Sequence, residues 1–531
     1  MNRYGEIHKG LESLSKKSNR RLNRLLWSIG AKCVLVGLLA GLLVSLYCLG
    51  IKSGTGFARS MYAYAAENPL VLIVIAIASV GAGLLIAWMV KKEPMASGSG
   101  IPQTEGVLSY VLRMKSASIL AVRFAGGLLG AFFGMSLGRG GPCVQVGACS
   151  GNIVRKAIGR GGMEENCLIT AGAAAGLSAA FQAPISGIVF ALEEMHRSFS
   201  PFLLIAAATA ALAAAGVADC FFGLTPVLNC GNVGIMEFSS YVWLLPLGVL
   251  SGLSGAALNK ALIASQALYC RIPAKARPVL ALLIVIPFGL FMPEVLGGGE
   301  NLVFLSEGSN VSFGIIAALL LGKFVLTCTS SGCGAPGGIF MPILAIGALT
   351  GAALGAIASL LGMPADYVAI CAVCGMAGTF ASSVKAPLTG ILLVVEMSGS
   401  LTHILPLAIV AFTAIFVSDM LGTGPIYNEL LDRYIDANGK TYVPGSDPDR
   451  LIDEVVEEGS LLDGAEYGAV DWPDDLIVVR IQKAERAVMP RSTSRIRAED
   501  HLIATPVGNR FHAKSALHAI TRGASAGTGP G

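Results

Sequence analysis

Charge is scarce in this chain. Only 14% of its residues are Asp, Glu, Lys or Arg, against about 25% in soluble domains, while 54% are hydrophobic and the mean hydropathy is +0.68. That balance excludes an ordinary soluble protein and points to a chain that crosses a membrane many times. The net charge of +4 is small and says little about nucleic acid, and no nucleic-acid partner is expected. Cysteine is missing from the polar stretch after residue 440, because all twelve cysteines fall between Cys33 and Cys374. This excludes a disulfide framework and marks cysteine as a small buried apolar residue. Cys371 and Cys374 form a CxxC within an apolar run with no second pair, a context that favours packing over metal or redox chemistry. The six histidines form no cluster at metal-ligand spacing, so no metal site and no cofactor are expected. Gly334-Ala335-Pro336-Gly337-Gly338 is glycine-rich, but no lysine and Ser/Thr follow it as in a phosphate-binding loop, and no enzyme is indicated.

Glycine is abundant, at 66 of 531 residues, nearly twice the usual share of about 7%. Such content suits closely packed and interrupted membrane helices. Arg3, Lys9, Lys16, Lys17, Arg20, Arg21 and Arg24 precede an apolar run from Leu25 to Ile51. The run is too long for a signal-peptide core and reads as the first membrane helix, with residues 1–23 cytoplasmic by the positive-inside rule. A second helix is expected over Pro69–Val90. Further apolar segments follow at about 117–137, 142–156, 165–180, 184–195, 202–223 and 239–268. A second series occupies about 277–296, 313–330, 342–361, 366–380, 387–397 and 404–421. Several are too short to span a bilayer alone.

The chain is organised around Gly138-Arg139-Gly140-Gly141-Pro142-Cys143, which lies between two such segments. Glycine and proline suit a helix interior badly, but proline suits a helix's first turn. Residues 138–141 therefore read as an unwound approach, with a new helix beginning at Pro142. A helix N-terminus with unpaired N–H groups favours an anion, and interrupted backbone within a membrane survives where it lines a polar pathway.

The apolar series also repeats. Gln182-Ala183-Pro184-Ile185-Ser186-Gly187 through Glu194-Met195 is echoed by Lys385-Ala386-Pro387-Leu388-Thr389-Gly390 through Glu396-Met397. Gly141-Pro142 with Gly147-Ala148 is echoed by Met341-Pro342 with Gly347-Ala348. Two matched pairs in one order indicate a duplication, with halves at about 24–223 and 239–435. Inverted repeats are common in transporters, although sequence alone does not fix the relative direction.

Four motifs now stand in order: Gly98-Ser99-Gly100-Ile101-Pro102, Gly138-Arg139-Gly140-Gly141-Pro142, Gly337-Gly338-Ile339-Phe340-Met341-Pro342, and Tyr427 in Gly424-Pro425-Ile426-Tyr427. Together they closely resemble the CLC family of chloride channels and proton-coupled chloride exchangers, over about residues 24–435. The resemblance implies an all-α polytopic membrane protein of two inverted halves, whose broken helices point their N-termini at a central chloride site. It implies a homodimer with a pore in each subunit, in a bacterial inner membrane with both termini cytoplasmic. Ser99 and Tyr427 would supply hydroxyl hydrogen bonds to chloride, Ile339 and Phe340 backbone N–H groups, and Arg139 and Gly140 further N–H groups toward the outer end.

One position departs from the family pattern. The usual motif is Gly-Arg-Glu-Gly-Pro, whose glutamate carries protons, and here that position is Gly140. Glycine cannot titrate, so the expected reading is a chloride conduit uncoupled from protons. The alternative is a proton–chloride exchanger that uses another carrier. Glu194 matches the family's inner proton-transfer glutamate, although a carboxylate at a helix end can also be structural; Glu396 is expected to be structural. Gln103 stands where many bacterial members have glutamate, with no consequence assigned.

After residue 435 the composition changes. Residues 436–449 read as a linker, and 450–515 as a small α+β unit with a hairpin from Leu476–Ile481 to Ala487–Met489 and a strand at His501–Ala504. Leu451–Glu457 is left as a short helix or strand, and 516–531 as a flexible tail. Trp472 to Ile481, Val488 to Arg491 and Ala498 to Leu502 resemble a TrkA C-terminal regulatory domain, which implies a small ligand that the sequence does not name. It also raises a third reading, a regulated cation transporter, but no Thr-Val-Gly-Tyr-Gly filter is present.

Overall fold

The computed structural model describes residues 2–108, 112–158, 163–196, 200–228, 234, 236–306, 312–438, 452–473, 476–483, 486–488, 490, 493–506 and 510–522. They divide into two compact units, Met1–Glu105 with Met114–Leu431, and Gly106–Arg113 with Asp432–Gly531.

Up to residue 420 the described helices form two series of eight. The first comprises α1 (Asn2–Glu67), α2 (Pro69–Lys92), α3 (Ile101–Leu108), α4 (Ser116–Phe132), α5 (Gly140–Ile158), α6 (Met163–Phe181), α7 (Pro184–Phe190) and α8 (Pro201–Phe222). The second comprises α9 (Leu244–Cys270), α10 (Arg277–Phe291), α11 (Glu300–Ser306), α12 (Phe313–Gly332), α13 (Phe340–Leu360), α14 (Val368–Val384), α15 (Pro387–Ser398) and α16 (Ile404–Met420). A final helix, α17 (Ile426–Asn438), follows. Among the described residues, seven helices are long and apolar enough to cross a membrane, and the chain is a multi-pass membrane protein.

The first helix is longer than the expected Leu25–Ile51. It runs unbroken to Glu67, because nothing before Asn68 forces it to stop. The residue ahead of a proline is pushed out of helical geometry, and Asn68 has φ −129° with Pro69 opening α2.

Glycine sets how closely consecutive helices approach. A Cβ on Gly147 of α5 would lie 2.1 Å from the carbonyl oxygen of Gly172 on α6, and one on Gly351 of α13 would lie 2.0 Å from that of Cys371 on α14. Small residues of this kind let membrane helices meet backbone to backbone, and the same device recurs in both halves.

The halves are joined reciprocally. α7 and α15 each open with proline after an alanine that supplies no side-chain cap. The caps come from the opposite half. Glu396 accepts from the N–H groups of Ile185 (3.0 Å) and Ser186 (2.7 Å) and from the Ser186 hydroxyl. Glu193 accepts from the N–H groups of Leu388 (3.1 Å) and Thr389 (2.7 Å) and from Thr389 Oγ1 (2.7 Å). An exchange in which each half gives what it receives is the mark of a local two-fold axis.

The sequence echo paired Glu194 with Glu396, but the geometry pairs Glu193 with Glu396. A π-turn at Ala191–His196 absorbs one extra residue, frees Glu194 from the capping position and buries it to 4% exposure. Replacing Glu396 with Ala strips two N–H groups of α7 and should cost about 1–3 kcal/mol. A lowered thermal midpoint of the purified protein would register it, and Glu193→Ala should do the same to α15.

The second unit carries a four-stranded antiparallel sheet in the order β1-β4-β2-β3. Its strands are β1 (Ile452–Val455), β2 (Leu476–Lys483), β3 (Arg486–Val488) and β4 (His501–Pro506), followed by α18 (Arg510–Thr521). The hairpin is as expected over the described residues of β2 and β3, and within Leu451–Glu457 the residues Ile452–Val455 form a strand. The expected flexible tail from residue 516 is corrected by α18, whose Ala513 and Leu517, one turn apart, enter the same core as Ile452, Val478, Ile481 and Leu502. The expected linker is shortened, since α17 extends to Asn438. Residues 439–451 and 523–531 lie outside the described residues.

Candidate functional site

Three glycine-bearing turns converge where the halves meet. After α4 the chain turns at Gly134 (φ +82°), and after α12 it turns at Gly334 (φ +79°). Each then runs as extended backbone into a new helix, α5 at Gly140 and α13 at Phe340. The two approaches pair at one antiparallel bridge, Gly138 N–H to Gly338 O at 2.6 Å and Gly338 N–H to Gly138 O at 2.8 Å. The Ser97–Gly100 turn ahead of α3 joins them, with Gly337 N–H donating to Gly98 O at 3.1 Å. The N-termini of α5 and α13 are thereby set side by side. Both helices begin two residues before their prolines, Pro142 and Pro342, rather than at Pro142 as expected.

A buried cation anchors the Ser97–Gly100 turn. Arg123 of α4, with no exposed surface, donates through Nε to Gln145 Oε1 (2.7 Å), through Nη1 to Gly98 O and through Nη2 to Ser97 O (3.4 Å). Gln145 Nε2 in turn reaches Met95 O (2.8 Å). Gln103, which had no assigned consequence, closes the turn by accepting from Gly100 N–H (3.0 Å) and donating to Ser97 O (2.9 Å). The second half repeats the device. Lys323 of α12, equally buried, donates through Nζ to Val295 O (3.0 Å) and Gly297 O (2.6 Å), ahead of α11. Neither clamp was recognised from sequence, although a lone basic residue within an apolar segment is a readable signal.

The hydroxyls are left over. Ser99 Oγ and Tyr427 Oη are both buried, and neither has a hydrogen-bond partner; Tyr427 has no exposed surface at all. Buried polar groups are nearly always satisfied, so an orphan donor on the Ser97–Gly100 turn and another at Tyr427 fit a ligand that accepts hydrogen bonds. Ser99 stands against Gly141, where an added Cβ would lie 2.4 Å from Ser99 Oγ. Ile339 and Phe340, 1% and 0% exposed, open α13, where the first N–H groups of a helix have no internal acceptor. Tyr427 lies in the first turn of α17 and interacts electrostatically with Glu194 and Glu105. Glu105, on α3 and 6% exposed, was missed in the sequence because one acid in a glycine-rich stretch carries no spacing pattern.

Toward Arg139 the surroundings change. Its guanidinium pairs with Glu300 at 3.1 Å and stands 5.9 Å from the ring centre of Phe181. Phe181 stacks on Phe340 at 5.3 Å, and Phe190 and Phe380 complete a cluster around Phe340. A Cβ on Gly140 would lie 3.0 Å from the Phe181 ring and from Phe340 Cβ. Aromatic carbon therefore packs where a side chain at position 140 would begin. The assembled groups are dipoles and hydroxyls, which hold an anion without trapping it.

The family described as voltage gated chloride channel matches residues 82–419. The chain is 34% identical over 427 residues to an H(+)/Cl(-) exchange transporter ClcA of Vibrio parahaemolyticus, covering 77% of this chain and 90% of that one. It is 36% identical over 353 residues to the ClcA exchange transporter of Vibrio campbellii, covering 64% and 75% respectively. The fold superposes on a slow cyanobacterial Cl−/H+ antiporter with a TM-score of 0.74 at 30% identity, covering 78% of this chain and 99% of the other. A CLC-type fluoride/proton antiporter shares the fold at a TM-score of 0.65 and 24% identity, covering 76% and 97%. With the family match spanning most of the helical unit, the bridged broken helices and the orphan hydroxyls fall into place: the chain belongs to the voltage-gated chloride channel (CLC) family.

Proposed function

We propose that the chain carries chloride across a membrane at the junction of its two halves, in exchange for protons. The observation behind the anion pathway is the pair of unpartnered buried hydroxyls, Ser99 against Gly141 at the start of α5 and Tyr427 in the first turn of α17. Ser99 and Tyr427 donate hydroxyl hydrogen bonds to chloride, and Ile339 and Phe340 donate backbone N–H groups. Arg139 and Gly140 supply N–H groups at the outer end.

Exchange rather than simple conduction is supported by the relatives, which are named exchange transporters and antiporters. The uncoupled conduit, the first expectation from the sequence, has one observation in its favour, the missing carboxylate at Gly140. The relatives favour the alternative, so the proton carrier is sought elsewhere. Glu194 fits that role: it is buried, set apart from the capping Glu193 by the π-turn, and electrostatically linked to Tyr427. Irregular turns of this type cluster at functional positions. The cation-transporter reading rests on the TrkA-like tail alone, and the sequence holds no Thr-Val-Gly-Tyr-Gly filter.

By the family's pattern the working unit is a homodimer in a bacterial inner membrane with cytoplasmic termini. The sheet-and-helix unit is proposed to be a TrkA-like regulatory module for a small ligand.

Liposomes holding the purified protein test the coupling. An outward chloride gradient is expected to drive protons uphill at a fixed ratio, and Glu194→Gln to abolish proton movement while chloride still passes. Chloride efflux with no proton movement in the unmodified protein would return the reading to an uncoupled conduit. Gly140→Glu is best built together with Phe181→Leu, because the Phe181 ring crowds that position.

A further inference from the structure

The sequence reads cysteine as an apolar space-filler, yet two of the twelve meet at the site. Cys48 on α1 and Cys143 on α5 lie with their sulfurs 3.7 Å apart, both essentially without exposed surface. Cys143 is the third residue after Gly140, and its N–H donates to the Arg139 carbonyl at 3.0 Å. The backbone of Cys143 is therefore hydrogen-bonded to the turn that carries Arg139 and Gly140.

We propose that Cys48 and Cys143 form a reversible thiol–disulfide pair that fixes α5 to α1 and slows anion passage when oxidised. Hydrogen peroxide is the co-reactant. One thiol is oxidised by the peroxide to a sulfenic acid with release of water. The second thiol then attacks that sulfur, expels a second water and closes the disulfide, so two thiol hydrogens and one peroxide leave as two waters. A disulfide sets its sulfurs about 2.05 Å apart, so closure draws Cys143 toward α1. Through the Cys143–Arg139 hydrogen bond the turn at Gly140 follows. A dithiol reductant reverses the step by exchange. Burial keeps bulky reagents out and leaves the pair to a small uncharged oxidant.

The transport consequence rests on the proposed anion pathway, whereas the covalent step does not, and the test separates them. The full-length protein in liposomes is treated with hydrogen peroxide, quenched with N-ethylmaleimide, digested and analysed by mass spectrometry; chloride efflux is measured in parallel. The expected result is a peptide cross-linking Cys48 to Cys143, slower efflux, and recovery of both after dithiothreitol. Cys48→Ser, which alters α1 and leaves the proposed anion donors intact, should transport as the reduced protein does and ignore peroxide. Absence of the cross-linked peptide overturns the pair. A cross-link with unchanged efflux overturns its control of transport. Peroxide inhibition that persists in Cys48→Ser assigns the effect to another thiol, Cys220 or Cys270 on the exposed surface, and overturns the proposal as well. No chloride efflux in any sample would count against the transport reading and leave the cross-link result standing.

Discussion

Ser99→Ala and Tyr427→Phe should each weaken chloride binding about tenfold or more, and the double variant further, since a hydrogen bond to a charged partner contributes about 1.5–3 kcal/mol. Titration calorimetry of the purified protein reads this directly. The distinguishing feature is what should stay constant. Removing a hydroxyl ordinarily strands its protein partner, but neither of these has one. Thermal stability without chloride should therefore hold or rise slightly, and only the stabilisation by added chloride should fall, as ligand linkage requires. Equal losses with and without chloride would mean that the hydroxyls serve packing rather than the anion.

Arg123→Met should have the largest effect on the folded state, about 3–5 kcal/mol, because three hydrogen bonds from one buried guanidinium disappear together. Gln145 Oε1 loses the donor recorded for it, while Ser97 O and Gly98 O retain their bonds to Gln103 and Gly337. Damage should therefore concentrate on the turn that carries Ser99. Chloride affinity should drop along with the thermal midpoint, even though Arg123 is not among the proposed anion donors. Arg123→Lys should recover part of both, since Lys323 performs the equivalent carbonyl clamp in the other half with one amine. Full loss in the lysine variant would show that the planar contact to Gln145, rather than the carbonyl clamp, holds the turn.

The helical frame was readable because its punctuation is chemical. Pro184, Pro201 and Pro387 each open a helix, and the glycine-rich approaches at 138 and 338 mark the two breaks. The repeat was readable too, since its motif pairs lie in one order. What escaped depends on pairing across long separations. Glu193 and Glu194 are adjacent in sequence, and only the structure shows Glu193 capping α15 while Glu194 is buried in the π-turn. Arg123 and Gln145 are separated by 21 intervening residues, and no local rule joins them. α18 was missed because a short helix with Ala513 and Leu517 on one face is weakly patterned until a sheet lies beneath it.

The bridge between Gly138 and Gly338 also bears on how the chain is made. Gly138 emerges from the ribosome two hundred residues before its partner, and Gly98 O waits longer still for Gly337 N–H. A nascent first half must keep these backbone groups solvated or otherwise held, since hydrocarbon offers them no partner. These turns can close only after the second half has inserted, a pairing of high sequence separation and so intrinsically slow. Assembly of the candidate site thus comes last, and an isolated half should be recognised by quality control as unfinished.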